Sequence, residues 1–206
     1  MRINCVVYSG GVPSTPATPT TARGRAKADR RTALLTAAAR LFAERGFDRV
    51  SLEELGAAVG VSGPAVYRHF DGKQAVLGAM LVGVSEGLWV GGQAVVEKSA
   101  DAAAALSQLI AFHVDFALAN ANVIRVQDRD LDSLADPDRH SVRVLQRSYV
   151  ELWVDVLAAL SPDAARPMLR TRAHATFGLI NSTPHSGSTR ETRGILESMA
   201  LAALRS

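Results

Sequence analysis

Residues 51–73 read SLEELGAAVGVSGPAVYRHFDGK. Ser51 carries a hydroxyl suited to capping a helix start, and Glu54, three positions on, completes a reciprocal capping box. Leu52, Leu55 and Val59 fall on one stripe of the short helix that follows, the spacing of a core-facing surface. Gly60 ends it, because glycine takes the left-handed backbone of a sharp turn without steric penalty. Val61 is the expected buried hinge of that turn and Ser62 the next cap. Gly63 and Pro64 open a second helix, where the missing N–H of proline is harmless. Val66 and Phe70 point back to the core, which leaves Tyr67, Arg68 and His69 facing outward. Helix, short glycine turn and second helix make the helix-turn-helix pattern, whose second helix fits the DNA major groove. The competing reading is a plain pair of core helices, and the polar outer face of the second helix argues against it.

Upstream, residues 29–46 (DRRTALLTAAARLFAERG) form an amphipathic helix. Leu34, Leu35, Ala38, Leu41 and Phe42 share one face, and Gly46 closes it. Phe47 and Val50 are placed to plug the gap to the next helix, giving a three-helix unit. Arg23, Arg25, Lys27, Arg30 and Arg31 cluster just before and at the start of the first helix. A basic arm there suits phosphate or minor-groove contact, and a solubilising tail is the alternative.

The chain has 206 residues, 48% of them hydrophobic and 5% aromatic, a net charge of +3 and a pI of about 9.4. Abundant alanine and leucine favour helix throughout. The charge is too small for a whole-surface polyanion binder. Cys5 is the only cysteine, which excludes an intramolecular disulfide and fits a reducing cytoplasm. No run of 18 apolar residues and no leader pattern is seen, so no membrane is expected. Residues 1–22, rich in Pro, Thr, Ser and Gly, read as a disordered tail or the product of an upstream start codon.

The first helix, Gly46-Phe47 and the 51–73 segment together resemble the DNA-binding domain of TetR/AcrR-type transcriptional repressors, over residues 29 to about 77. The resemblance implies an all-α homodimer. An N-terminal helix-turn-helix domain (23–73) would follow the tail, and a helical effector-binding and dimerisation domain (74–206) would follow that. It implies a recognition helix at 63–69 and a DNA-binding set of Ser51, Ser62, Gly63, Pro64, Tyr67, Arg68, His69 and Lys73. Lys73 matches the family's phosphate-contacting lysine, whereas Pro64 and Val66 depart from its commoner residues. The chemistry agrees. Arg68 can donate in a bidentate manner to guanine, and the Tyr67 and Ser62 hydroxyls suit phosphate oxygens. Arg68 also reads as a solvated surface arginine, and His69 as a cap for the short helix.

After residue 73 the pattern is helical almost everywhere. Helices are expected at 73–98, at 101–120 with Asp101 as cap, and at 138–160 after a break at Asp136-Pro137. Another begins at Ser161-Pro162 and runs to about 182, and the last spans 190–205, with a polar segment at 122–134 and a loop at 181–189. Five glycines in 73–98 imply either a soft connecting helix or close packing of neighbours, at about 1 kcal/mol each relative to Ala. The resemblance implies that helices 163–181 and 190–205 pair with their copies, so that two recognition helices read a palindromic operator. It also implies a small-molecule effector held between the central helices. Trp89, Phe112, His113, Phe116, Arg125, Gln127, Gln146, Tyr149, Trp153 and Asn181 are the candidate lining. For the aromatics, and for His113, ordinary core packing is the alternative. A weaker resemblance of 122–134 and 145–154 to regulators of fatty-acid metabolism points to an elongated apolar effector such as an acyl chain or acyl-CoA.

An enzyme is the main rival class. His113 with Asp115, and His140 with Asp138, are the only pairs that invite acid–base or metal chemistry. No nucleophile, metal-binding or phosphate-loop motif accompanies them. No catalytic residue, metal or cofactor is therefore expected.

Overall fold

The computed structural model describes residues 21–183 and 189–206. The expected disorder of residues 1–20, and most of the loop expected at 181–189, lie outside these. All regular structure among the described residues is helical, as an all-α chain requires. In order it comprises α1 (Ala22–Arg45), α2 (Leu52–Ala58), α3 (Gly63–Val66), α4 (Lys73–Lys98), α5 (Ala102–Ala119), α6 (Ala121–Asp130), α7 (Asp136–Leu160), α8 (Arg166–Ile180) and α9 (Arg190–Arg205). A 3-10 turn, Leu131–Ser133, follows α6.

Several boundaries differ from the sequence expectation. Helix α1 starts at Ala22, not near residue 29, because the Thr21 hydroxyl accepts from the Gly24 N–H and the residues that follow are strong helix formers. The basic run is thus the first turns of α1 and not an arm before it. Helix α3 ends at Val66, so residues 67–69 form a turn instead of a longer recognition helix. The His69 N–H reaches only to Val66 O (2.8 Å), an i→i−3 bond that tightens the chain out of the helix. Pro137 does not break the chain but occupies the first turn of α7, and Pro167 likewise opens α8 at Arg166.

Two cores form. The first gathers Leu34, Phe42, Val50, Leu55, Val66 and Phe70 against Val76, Leu77 and Leu81 of α4, Val126 of α6 and Val142 of α7. The first half of α4 is therefore part of the N-terminal core, which extends past residue 73. The second core joins Leu106, Leu109 and Ile110 of α5 to Trp153 and Leu157 of α7, Leu169 and Ile180 of α8, and Leu196 and Leu204 of α9. Close packing, not softness, accounts for glycines along α4. A Cβ on Gly91 would lie 2.4 Å from Phe112 Cζ, and one on Gly92 would lie 2.6 Å from Tyr149 Cε2. Helices α4 and α5 are long and apolar enough by composition to cross a membrane, yet both contribute buried faces to these cores.

Candidate functional site

The α2–turn–α3 unit is built by local chemistry. The Ser51 hydroxyl accepts from the Glu54 N–H (3.2 Å), and the Glu54 carboxylate accepts from the Ser51 N–H (2.8 Å). That hydrogen bond, with the Arg45 ion pair at 2.8 Å, holds the Glu54 carboxyl below its usual range. Gly60 adopts φ 69°, and the Val61 N–H folds back to Gly56 O at 2.9 Å. Gly56 carries a role the sequence reading missed. A Cβ there would lie 2.8 Å from Val61 O and 3.0 Å from Val66 Cγ2, so only glycine lets α3 close onto α2.

This closure presents Ser62, Pro64, Tyr67 and Arg68 to solvent, with Tyr67 53% exposed. Ser62 occupies the cap position, but its hydroxyl makes no capping bond, which leaves it open to an outside partner. Gly63 is half-buried against Glu53. His69 departs from the expected outward set. It is half-buried with Nδ1 unpartnered, and burial, then Lys27, Arg30, Arg31 and Arg68, push its pKa down. The four cations place a positive field beside the turn, the sign that phosphate requires.

Lys73 is committed within the protein. Its ammonium donates to Phe47 O (2.8 Å) and Asp48 O (3.3 Å) and lies 4.4 Å from the centre of the Phe47 ring. Ser51, Tyr67 and Lys73 line one shallow concavity together with Arg49, an exposed cation that the sequence reading did not single out.

The expected effector residues separate into two groups. His113, Phe116, Tyr149, Trp153 and Asn181 meet in the second core, joined by Phe177, which the sequence reading missed. Phe177 lies 4.9 Å, centre to centre, from both His113 and Trp153. It sits on the buried side of α8, and its spacing from Ala173 and Ile180 could have revealed it. His113 is fully buried, with Nε2 3.2 Å from Asn181 Oδ1 and Nδ1 3.4 Å from the Tyr149 hydroxyl. Asn181 can only accept through that oxygen, so Nε2 carries the proton and Nδ1 accepts from Tyr149. Burial pushes the His113 pKa down to about 4 and raises that of Tyr149. Thr176 Oγ1 is buried with no hydrogen-bond partner, and Trp153 Nε1 makes no bond of normal geometry, although the Trp153 side chain interacts with the Tyr149 hydroxyl.

Trp89 and Phe112 flank this core, half-buried. Arg125 does not line it: α6 buries Val123, Ile124 and Val126, which turns Arg125 to the exposed side. Gln127 on α6 and Gln146 on α7 are half-buried. At the place expected for the effector cavity, the rings of His113, Tyr149, Trp153 and Phe177 pack against one another, with centres 4.9–6.2 Å apart. An open cavity of about 460 Å³ lies instead where α1, α4 and the α5–α6 junction meet.

Residues 34–80 match the model of the bacterial regulatory proteins of the tetR family. The chain is 29% identical over 140 residues, 68% of its length and 69% of the relative's, to the HTH-type transcriptional repressor KstR2 of Rhodococcus jostii (strain RHA1). Its fold is shared with a TetR-family transcriptional regulator from Bordetella parapertussis 12822, at TM-score 0.75 and 24% identity over 85% of this chain and 92% of that one. It is shared equally with the ketosteroid transcriptional regulator KstR2 of Mycobacterium tuberculosis, at TM-score 0.74 and 19% identity over 85% and 93%.

Proposed function

We propose that the chain, whose residues 34–80 match the tetR family of bacterial regulatory proteins, is a repressor of that family that binds a palindromic operator and is released by a small, mainly apolar effector. It is a regulator, not an enzyme. The observation that carries the DNA reading is the capped α2–turn–α3 unit, which leaves Ser62, Tyr67 and Arg68 exposed beside a positive field. Arg68 reads bases, while Ser51, Ser62, Tyr67 and Arg49 take phosphates. The protein works in the cytoplasm, with DNA as its partner. Fluorescence anisotropy on the DNA upstream of its own gene, against a random duplex at the same salt, tests this. A gap of about a thousandfold is expected for a specific regulator. Equal, weak binding to both that persists across a genome-wide binding search would overturn it.

A palindrome needs two copies. Helices α8 and α9 leave Met168, Ile195 and Met199 half-exposed on the outer side of the second core. An isologous contact through these faces supplies the two-fold axis that a palindromic site mirrors.

The aromatic core supports the effector reading through its poorly paired polar atoms. Buried Thr176 Oγ1 lacks the partner that such a group normally has, and Trp153 Nε1 has only a loose interaction with the Tyr149 hydroxyl. A bulky apolar ligand bearing a carbonyl or hydroxyl could supply better partners, and a fatty acyl compound or a polycyclic one of the ketosteroid kind fits that description. Because the rings pack against one another, such a ligand must part α5 from α7 and α8. It thus favours a conformation other than this one, the condition for any effector to shift DNA binding. The packed rings also favour a second reading, a regulator with no effector at this place. A thermal-shift panel of acyl-CoA thioesters and steroids separates the two, since a ligand of the native state raises its apparent stability.

A further inference from the structure

The open cavity shares no lining residue with the aromatic core and differs from it in chemistry. Its walls come from α1, α4 and the α5–α6 junction, with Leu35, Met80, Val84 and Leu118 as the main apolar surface. Its volume, about 460 Å³, falls in the range of small-molecule sites. Its polar side chains are mostly committed. Thr36 Oγ1 donates to Thr32 O at 3.1 Å, and Asn120 Nδ2 donates to Phe116 O at 2.8 Å.

One charged residue lines the cavity, Arg31, and no acidic residue does. Arg31 forms no ion pair among the described residues. Its guanidinium instead lies 5.0 Å from the centre of the Phe70 ring, the residue that closes the recognition turn onto the first core. Lys27, Arg30 and Arg68 add to the positive field around it. An apolar hollow with a single unpaired cation at its wall is complementary to a molecule with an apolar body and one anionic group.

We propose that this cavity is a second ligand site, separate from the aromatic core, that takes a small amphipathic carboxylate. The apolar body fills the space among Leu35, Met80, Val84 and Leu118, and the carboxylate pairs with Arg31. The carboxylate then competes with the Phe70 ring for the guanidinium and neutralises one of the cations flanking the recognition turn. Occupancy of the site is thereby linked to the DNA-facing surface without any rearrangement of α5, α7 or α8.

Calorimetric titration of the full chain with sodium decanoate tests the site, with decyltrimethylammonium as the cationic counterpart. Ala79→Leu fills the cavity from α4, and Thr36→Phe plugs it from its exposed rim on α1, so failure of one variant to fold leaves the other. Arg31→Gln removes the cation, and His113→Phe alters the aromatic core alone. Decanoate is expected to bind the wild type at least about tenfold more tightly than the first three variants, a difference of about 1.4 kcal/mol. It should bind His113→Phe unchanged, and the cation should bind at least about tenfold more weakly than decanoate. Equal affinity for wild type, Ala79→Leu and Thr36→Phe overturns the proposal, as does a loss confined to His113→Phe. Failure of the wild type to bind in the millimolar range does so too, and equal binding of the two amphiphiles rejects Arg31 as the partner. DNA binding is not the readout, so this outcome is independent of the operator experiment.

Discussion

Arg129, at the end of α6, donates from its guanidinium to the main-chain carbonyl of Phe42, in the last turn of α1. A second N–H reaches Ala43 O at 3.4 Å, and the neighbouring Asp130 carboxylate, largely buried, accepts two bonds that fix the guanidinium. A cation beside the last-turn carbonyls of a helix is favourable, and Phe42 O accepts from Arg129 in addition to the Gly46 N–H. Here it also ties α6 to α1, across 86–87 positions of sequence. Gly46, which follows α1, adopts φ 92°, a backbone that favours glycine.

Replacing Arg129 by Ala removes these bonds and leaves Asp130 with less compensation. A loss of about 1.5–3 kcal/mol is expected in urea unfolding, the range for hydrogen bonds to charged groups. Arg129→Lys should recover only part of it, because an ammonium lacks the planar fork. A loss below about 0.5 kcal/mol for Arg129→Ala would mean that the tie contributes little.

Lys73→Ala should act on folding before it acts on DNA. The ammonium holds the Phe47 and Asp48 carbonyls and lies over the Phe47 ring, so its removal frees the loop before α2. The expected cost is about 1–2 kcal/mol. The dependence of DNA affinity on salt should be nearly unchanged, whereas loss of a phosphate contact would lower the slope by about 0.9. Measuring both quantities on one preparation distinguishes a clamp from a phosphate ligand.

Arg68→Ala should change what is read, not how tightly the backbone is held. Arg68 is exposed at the recognition turn and forms no ion pair among the described residues. A bidentate contact to guanine is worth about 1–3 kcal/mol of discrimination. Binding to a set of operator variants should therefore lose preference at one position per half-site. Unchanged preference would remove Arg68 from the base-reading set.

Much of this was legible in the chain, and the misses share a cause. The capping box, the Gly60 turn, the faces of α1 and the bounds of α4 are local properties, written in residues a few positions apart. What stayed hidden depends on neighbours distant in sequence. Gly56 is needed because Val61 and Val66 fold back onto it, and Gly91 and Gly92 because Phe112 and Tyr149 arrive from other helices. The aromatic set was found as types, but that its rings would pack against one another depends on Phe177 joining from α8. Lys73 and Arg129 illustrate the same limit: a lysine near a helix-turn-helix suggests phosphate, yet Phe47 and Asp48 claim it first.

His113 makes stability pH-dependent in a stated direction. Its pKa is about 4 in the folded chain and about 6.5 when unfolded. Between these values the unfolded state binds the proton and the folded state does not, so stability falls as pH is lowered through that window. From pH 7 to pH 5 this one group accounts for about 2 kcal/mol. His113→Phe should flatten that part of the unfolding-versus-pH curve. An equally steep fall in the variant would assign the loss to other groups.

The outer faces of α8 and α9 give the last prediction. Ile195 and Met199 lie one turn apart on α9, 51% and 50% exposed, while Leu196 and Ala200 beside them are buried in the second core. Exposed apolar side chains one turn apart form a seam suited to another helix. In a two-fold contact each substitution appears twice, so the double variant would bring like charges from both copies into one apolar seam. Ile195→Asp with Met199→Asp should therefore yield monomers by light scattering. Each side chain is half-exposed in the single chain, so the helical circular-dichroism signal should persist. Because half-sites are bound through linked copies, operator affinity should drop by at least about tenfold, and random-duplex binding much less. A double variant that remains dimeric would place the two-fold contact elsewhere.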